Sequence, residues 1–182
     1  MKKIISAALL AISLNGFSQI YVGEKCKITF FSATALENID ATNSVTKPVF
    51  NPKTGDFVIQ AQQSAFVFKS AFMQEHYNEN YVESEKYPYA IFKGKIKETI
   101  DYTQDDMHNV TMVGTMEIHG VTLPRTITGT VIVNKGVILM ESKFDIKVAD
   151  YKIKVPSLYV EKIAENVQVT FHTEMVPFKK EK

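Results

Sequence analysis

From Cys26 onward, apolar residues recur at every second position in short runs separated by turn signals, and that spacing restricts the chain to antiparallel sheet. Successive side chains of a strand point to opposite faces, so each run offers one face to a core and the other to solvent. Cys26, Ile28 and Phe30 alternate with Lys27 and Thr29. A weaker run from Ile39 to Val49 leads to Asn51-Pro52-Lys53-Thr54-Gly55, whose Pro and Gly suit a hairpin turn. Phe57, Ile59 and Ala61 follow, and then Ala90, Phe92, Gly94 and Ile96, with Lys93, Lys95 and Lys97 on the opposite face. Val110, Met112, Gly114, Met116 and Ile118 make the next apolar face, succeeded by Ile127, Gly129, Val131 and Val133. Asn134-Lys135-Gly136 turns the chain into Ile138, Met140, Phe144, Ile146 and Val148, and the last run holds Val167, Val169, Phe171 and Met175. These are eight strands in sequence order without helical crossovers, so neighbours should pair antiparallel. The expected fold class is all-β, an eight-stranded antiparallel barrel.

One segment breaks the alternation. Phe68, Phe72 and His76 stand at i, i+4 spacing with Met73 and Tyr77 beside them, the pattern of one short amphipathic helix, and Pro88 stops its continuation. A helix inserted in an order of hairpins is best placed as a lid capping one open end of the barrel, with Phe72, Met73, His76 and Tyr77 as its candidate residues. Asp101 to His108 reads as a polar loop, and Ala149 to Asn166 as a longer connection containing Pro156.

Composition narrows the function classes. At 45% hydrophobic and 23% charged residues the chain is that of a folded domain rather than a disordered tail. The single Cys26 excludes an internal disulfide and a cysteine-based zinc site. Met1 to Ser18 has a charged start at Lys2 and Lys3, an apolar stretch from Ile4 to Leu14 and small residues at Gly16 and Ser18, the layout of a secretory signal peptide. That stretch is about half of the roughly 20 residues a membrane helix needs, so no transmembrane segment is expected. Residues 19–182 are then one domain, destined for the periplasm or for secretion. Without Lys2 and Lys3, 19 basic residues face 20 acidic ones with both signs mixed along the length, which argues against a nucleic-acid partner.

Eight tilted strands enclose an interior that side chains either fill or leave open for one small ligand. Gly94, Gly114 and Gly129 fall on faces otherwise made of large apolar residues. They either leave ligand space, in which case leucine at 114 would fill a pocket, or relieve curvature and mark bulges. Met73, Met112, Met116 and Met140 supply flexible side chains that suit an adaptable lining and equally suit ordinary core packing. The candidate lining is therefore Phe92, Gly94, Met112, Gly114, Met116, Ile118, Gly129 and Phe144, and any occupant of such an interior would be apolar.

At Phe72-Met73-Gln74-Glu75-His76-Tyr77-Asn78-Glu79-Asn80-Tyr81, continuing through Glu85-Lys86-Tyr87-Pro88 into Ala90-Ile91-Phe92-Lys93-Gly94, the chain resembles the YceI-like family of bacterial periplasmic proteins. A second match is Gly114-Thr115-Met116-Glu117-Ile118-His119-Gly120-Val121-Thr122-Leu123-Pro124. The resemblance spans Cys26 to Val176 and implies a lipocalin-like barrel whose interior binds a polyisoprenoid or similar long lipid, without a catalytic constellation. His119 belongs to this signature and reads as a structural hydrogen-bonding residue at a turn.

The four histidines, His76, His108, His119 and His172, show no metal-site spacing, and no Gly-x-Ser-x-Gly elbow supports a nucleophile, so neither metal, cofactor nor catalysis is expected. The expected function is a lipid carrier or sequestering protein for a long-chain isoprenoid lipid such as an isoprenoid quinone. The alternative is a non-enzymatic stress or structural barrel acting through a protein partner. A homodimer is compatible with either.

Overall fold

The computed structural model describes residues 20–159 and 161–179, and the expected signal peptide lies outside them. The strands are β1 (Tyr21–Gly23), β2 (Lys27–Ala33), β3 (Asn38–Asn43), β4 (Val49–Asn51), β5 (Asp56–Gln62), β6 (Val67–Phe68), β7 (Tyr89–Ile96), β8 (Asp106–Ile118), β9 (Val121–Asn134), β10 (Val137–Lys147) and β11 (Asn166–Pro177), all in one antiparallel sheet. The first half of β11 pairs with β2, from Gln168 opposite Phe31 to His172 opposite Lys27, and its end pairs with β1, from Met175 opposite Gly23 to Pro177 opposite Tyr21. β1 and β2 are thus two segments of a single stave. β3 and β4 form the next stave in the same way, β3 against β2 and β4 against β1. With β5, β7, β8, β9, β10 and β11 they make eight staves, and the β1–β11 ladder closes the barrel.

Turn chemistry sets the long hairpins. His119 and Gly120 join β8 to β9 with φ of 51° and 70°, and Lys135 and Gly136 join β9 to β10 with φ of 49° and 81°. Two successive residues of positive φ make the turn whose twist matches that of the flanking strands. β8 begins at Asp106, so the polar loop expected through His108 is shorter, and its last residues pair with Val131 to Val133. β1 was not expected at all; it lies between the expected leader and the first periodic run, and three residues are too few to show a period.

The wall is incomplete on one side. β3 pairs with β6, while β5 has ladders only to β4 and β7. Where a β3–β5 ladder would start, the fully buried Asn43 stands in for it: its Nδ2 donates to the Gln62 carbonyl at 2.9 Å, and its Oδ1 accepts from Val45 N, Thr46 N and Thr46 Oγ1. The residues beyond Gln62 close this gap, through β6, a helix α1 (Ala71–His76) and a wider helical turn over Tyr77–Tyr81. Six residues cannot hold a helix in water unaided. α1 is held by the Ser70 hydroxyl, which accepts from Met73 N, and by Met73 and Tyr77, which pack on the core. This corrects the expected apolar stripe. Phe68 belongs to β6, and Phe72 is 60% exposed, so the inward face is Met73 and Tyr77.

The barrel end at β1 and β4 is solid. Phe50, Phe57, Ile138 and Met175 are fully buried there. Their rings meet edge to face, Phe50 with Phe57 at 6.2 Å and with Tyr102 at 5.3 Å, and Phe57 with Phe171 at 5.9 Å, geometries favoured by the ring quadrupole.

Candidate functional site: an apolar cavity beneath the helix

The opposite end, under α1, is hollow. A cavity of about 390 Å³ is walled by Ile28 and Phe30 of β2, Ile59 and Ala61 of β5, Phe92 of β7, Met112, Met116 and Ile118 of β8, Phe144 and Ile146 of β10, and Val167 and Val169 of β11. Each of these comes from the inward parity of its strand, which is why alternation in the chain becomes a continuous hydrocarbon surface. Met73 and Tyr77 of the helical segment roof it together with Phe66 and Phe68. Tyr77 is the keystone: its ring stacks on Phe30 at 5.4 Å and touches Phe68 at 4.9 Å and Phe66 at 6.0 Å, while its hydroxyl donates to Gln63 Oε1 at 2.6 Å. Burial pushes the Tyr77 phenol well above its ordinary value, so it stays protonated and a donor. Phe72, His76 and Tyr159 form one side of the rim, with the Phe72 and His76 rings 4.1 Å apart. Glu37 and Lys162 face each other across 3.9 Å on the other.

Of the residues singled out from the sequence, Phe92, Met112, Met116, Ile118 and Phe144 stand on the cavity wall, and Phe72, Met73, His76 and Tyr77 on its roof and rim. Gly94, Gly114 and Gly129 do not line it. Gly94 and Gly114 are directly opposite each other in the β7–β8 ladder, and a Cβ on Gly114 would run into the Lys93 carbonyl and the Gly94 Cα. One on Gly129 would run into the Glu141 carbonyl. These glycines let neighbouring strands approach and the wall curve, so leucine at 114 would strike the sheet rather than fill the pocket. Met140 is buried but stands off the cavity. Ile28, Phe30, Ile59, Ala61, Ile146, Val167 and Val169 were read as apolar strand faces but not named as lining, Phe68 was read as part of the helix, and Gln63 and Phe66 were missed. Gln63 continues the parity of Phe57, Ile59 and Ala61 one step further, a signal hidden by its polarity, whereas Phe66 and Phe68 follow a short turn that resets the parity.

His119 bolts the cavity's edge from outside. Its Nε2 lies 2.6 Å from Glu83 Oε2, just after the helical segment, and its Nδ1 lies 3.1 Å from the Tyr151 carbonyl, in the connection after β10. The Tyr87 ring packs edge-on at 4.6 Å. The turn residue therefore ties together three segments that share no ladder, the structural hydrogen-bonding role read from its position. Among the described residues no three His, Cys, Asp or Glu side chains gather as metal ligands, and no helix is long and apolar enough to cross a membrane.

The fold and site define a class: closed antiparallel barrels that keep an apolar chamber at one end under a short helix. Within that class, the chain belongs to the family of YceI-like domains, which it matches over residues 18–175. No curated protein matches its sequence. Among solved structures, a polyisoprenoid binding domain from Saccharophagus degradans implicated in plant cell wall breakdown superposes with a TM-score of 0.75 at 15% identity, covering 87% of this chain and 98% of that one. Burkholderia cenocepacia BcnA gives 0.70 at 17% identity, with 82% and 96% covered. The Campylobacter jejuni YceI protein gives 0.57 at 17% identity, with 74% and 81% covered. At such identities the likeness establishes the fold alone.

Proposed function

We propose that this chain is an exported, non-enzymatic lipid-binding protein that holds a polyisoprenoid or similar long apolar chain in the hollow half of its barrel, for carriage or sequestration. The carrying observation is the cavity of about 390 Å³ with its wall of aliphatic, aromatic and methionine side chains. Transfer of an isoprenoid tail from water to such a wall is driven at roughly 25 cal/mol per Å² of apolar area removed from water. The Saccharophagus degradans neighbour, described as a polyisoprenoid binding domain, supports the same ligand class. The leader pattern at Met1 to Ser18 supports export to the periplasm or beyond. A binding role also suits Cys26, whose buried thiol is pushed up to about 11 by desolvation and is a poor nucleophile.

The test is to express the full chain with its own leader, extract the purified protein with organic solvent and identify bound lipids by mass spectrometry against a mock purification. A stoichiometric polyprenyl chain or isoprenoid quinone is the expected result. An extract that is empty, and stays empty after incubation with such lipids, overturns the reading in favour of a barrel acting through a protein partner.

A further inference from the structure

We propose that Gln63 recognises a neutral carbonyl oxygen on the lipid, so that the cavity selects a long chain bearing a ketone, ester or amide over a plain hydrocarbon and over an acid. This rests on the lipid-binding reading and adds the chemistry of the ligand's polar group. Gln63 is 2% exposed and lines the cavity beneath Tyr77. Its backbone is satisfied, the N–H donating to the Pro88 carbonyl at 2.9 Å and the carbonyl accepting from Phe66 N at 3.2 Å. Its side-chain Oε1 accepts from the Tyr77 hydroxyl at 2.6 Å, and rotating the amide would strip that hydroxyl proton of its acceptor, which sets the orientation. The Nε2 group is then left with two N–H donors and no hydrogen-bond partner among the described residues, on a side chain that lines the cavity.

A donor left unpaired inside an apolar chamber is costly, and an acceptor carried in by the ligand relieves that cost. Of the other deep hydroxyls, Ser142 Oγ donates its one proton to the Thr128 carbonyl at 2.7 Å, and Ser32 Oγ accepts from Ala164 N, in the connection after β10, at 2.8 Å. The acceptor must be neutral. Among the described residues the one lysine or arginine lining the cavity is Lys162, at the rim and facing Glu37, with His76 also at the rim, so a carboxylate beside Gln63 would be buried without a lysine or arginine counter-charge.

The experiment compares three isoprenoids of equal chain length, a methyl ketone, the hydrocarbon and the carboxylic acid, as competitors for an apolar fluorescent probe bound to the lipid-free protein. The carbonyl stretch of the bound ketone is read by infrared difference spectroscopy. The ketone should bind about tenfold more tightly than the hydrocarbon, the worth of one buried hydrogen bond, and more tightly than the acid at neutral pH. Its stretch should shift to lower frequency on binding. In Gln63→Met the ketone-to-hydrocarbon ratio should fall to about one and the shift vanish; the wild-type ratio and shift decide the matter by themselves if that variant does not fold. Equal affinity for ketone and hydrocarbon, or an unshifted stretch, overturns recognition by Gln63 and leaves the lipid reading standing. Failure of all three ligands to displace the probe overturns both.

Discussion

Replacing Tyr77 separates the two means by which the roof is held. Tyr77→Phe keeps the ring against Phe30, Phe66 and Phe68 but removes the hydroxyl donated to Gln63, leaving a buried amide oxygen without its donor. That costs about 1–3 kcal/mol. Tyr77→Ala also removes three ring pairs, each worth about 0.5–1.5 kcal/mol beyond the area it buries. The gap left behind brings the alanine variant to about 3–5 kcal/mol in all, the usual range for deleting a buried ring. For a chain of this size each kcal/mol moves the melting temperature by about 2–4 °C, so the alanine variant should melt about 6–20 °C lower and the phenylalanine variant about 2–12 °C lower. Because α1 is too short to persist undocked, hydrogen exchange should locate the damage. Amides from Met73 to Val82 should lose protection in Tyr77→Ala while those of β9 and β10 keep most of theirs. Wild-type melting and wild-type protection in the alanine variant would refute the assignment of Tyr77 as the residue that docks the roof.

Two further outcomes follow from the same packing. Gly114→Leu should be destabilised by about 1–3 kcal/mol or more, because its side chain meets the Lys93 and Gly94 backbone; a thermal melt or loss of soluble yield reads this, and a stable variant with reduced lipid uptake would restore a pocket placement for Gly114. The Glu83 carboxyl is held below its ordinary range, chiefly by the hydrogen bond from His119. A carboxyl whose pKa is lower folded than unfolded contributes stability above its unfolded value, about 4.3, and loses it as pH falls through the folded one. Wild type should therefore lose melting temperature more steeply than Glu83→Gln between about pH 5 and about pH 3, and parallel curves for the two would show that the Glu83–His119 pair does not bear on folding.

The parts of this molecule that were legible in the sequence are those where one strand carries its own signal. β7, β8, β9 and β10 each hold several alternations, and one buried face requires their register, so Phe92, Met116, Ile127 and Phe144 point inward as their parity demands. Elements defined by their partners were not legible. β1 is three residues whose role comes from closing against β11, and the split between β3 and β5 depends on Asn43 reaching the Gln62 carbonyl. The glycines misled as ligand space for the same reason. Whether a missing side chain makes room for a ligand or for a neighbouring backbone depends on the strand opposite, and at Gly114 the strand opposite presents Gly94.

Packed rings hold both ends of the barrel, and the polar contacts added at one of them explain how that end stays open. At the solid end, apolar side chains fill the interior and the close contact of rings supplies the cohesion. At the other end the rings of Phe30, Phe66, Phe68 and Tyr77 pack against one another as roof and wall, leaving the chamber beneath them open. Single polar contacts at its margin complete the frame: Asn43 to the Gln62 carbonyl, Tyr77 to Gln63, Ser32 to Ala164 N, and His119 to both Glu83 and the Tyr151 carbonyl. Each joins segments that share no ladder at that point, and each is directional, so it fixes a distance without filling volume. A chamber framed in this way is held by contacts within the chain itself, which lowers the ordering cost of filling it.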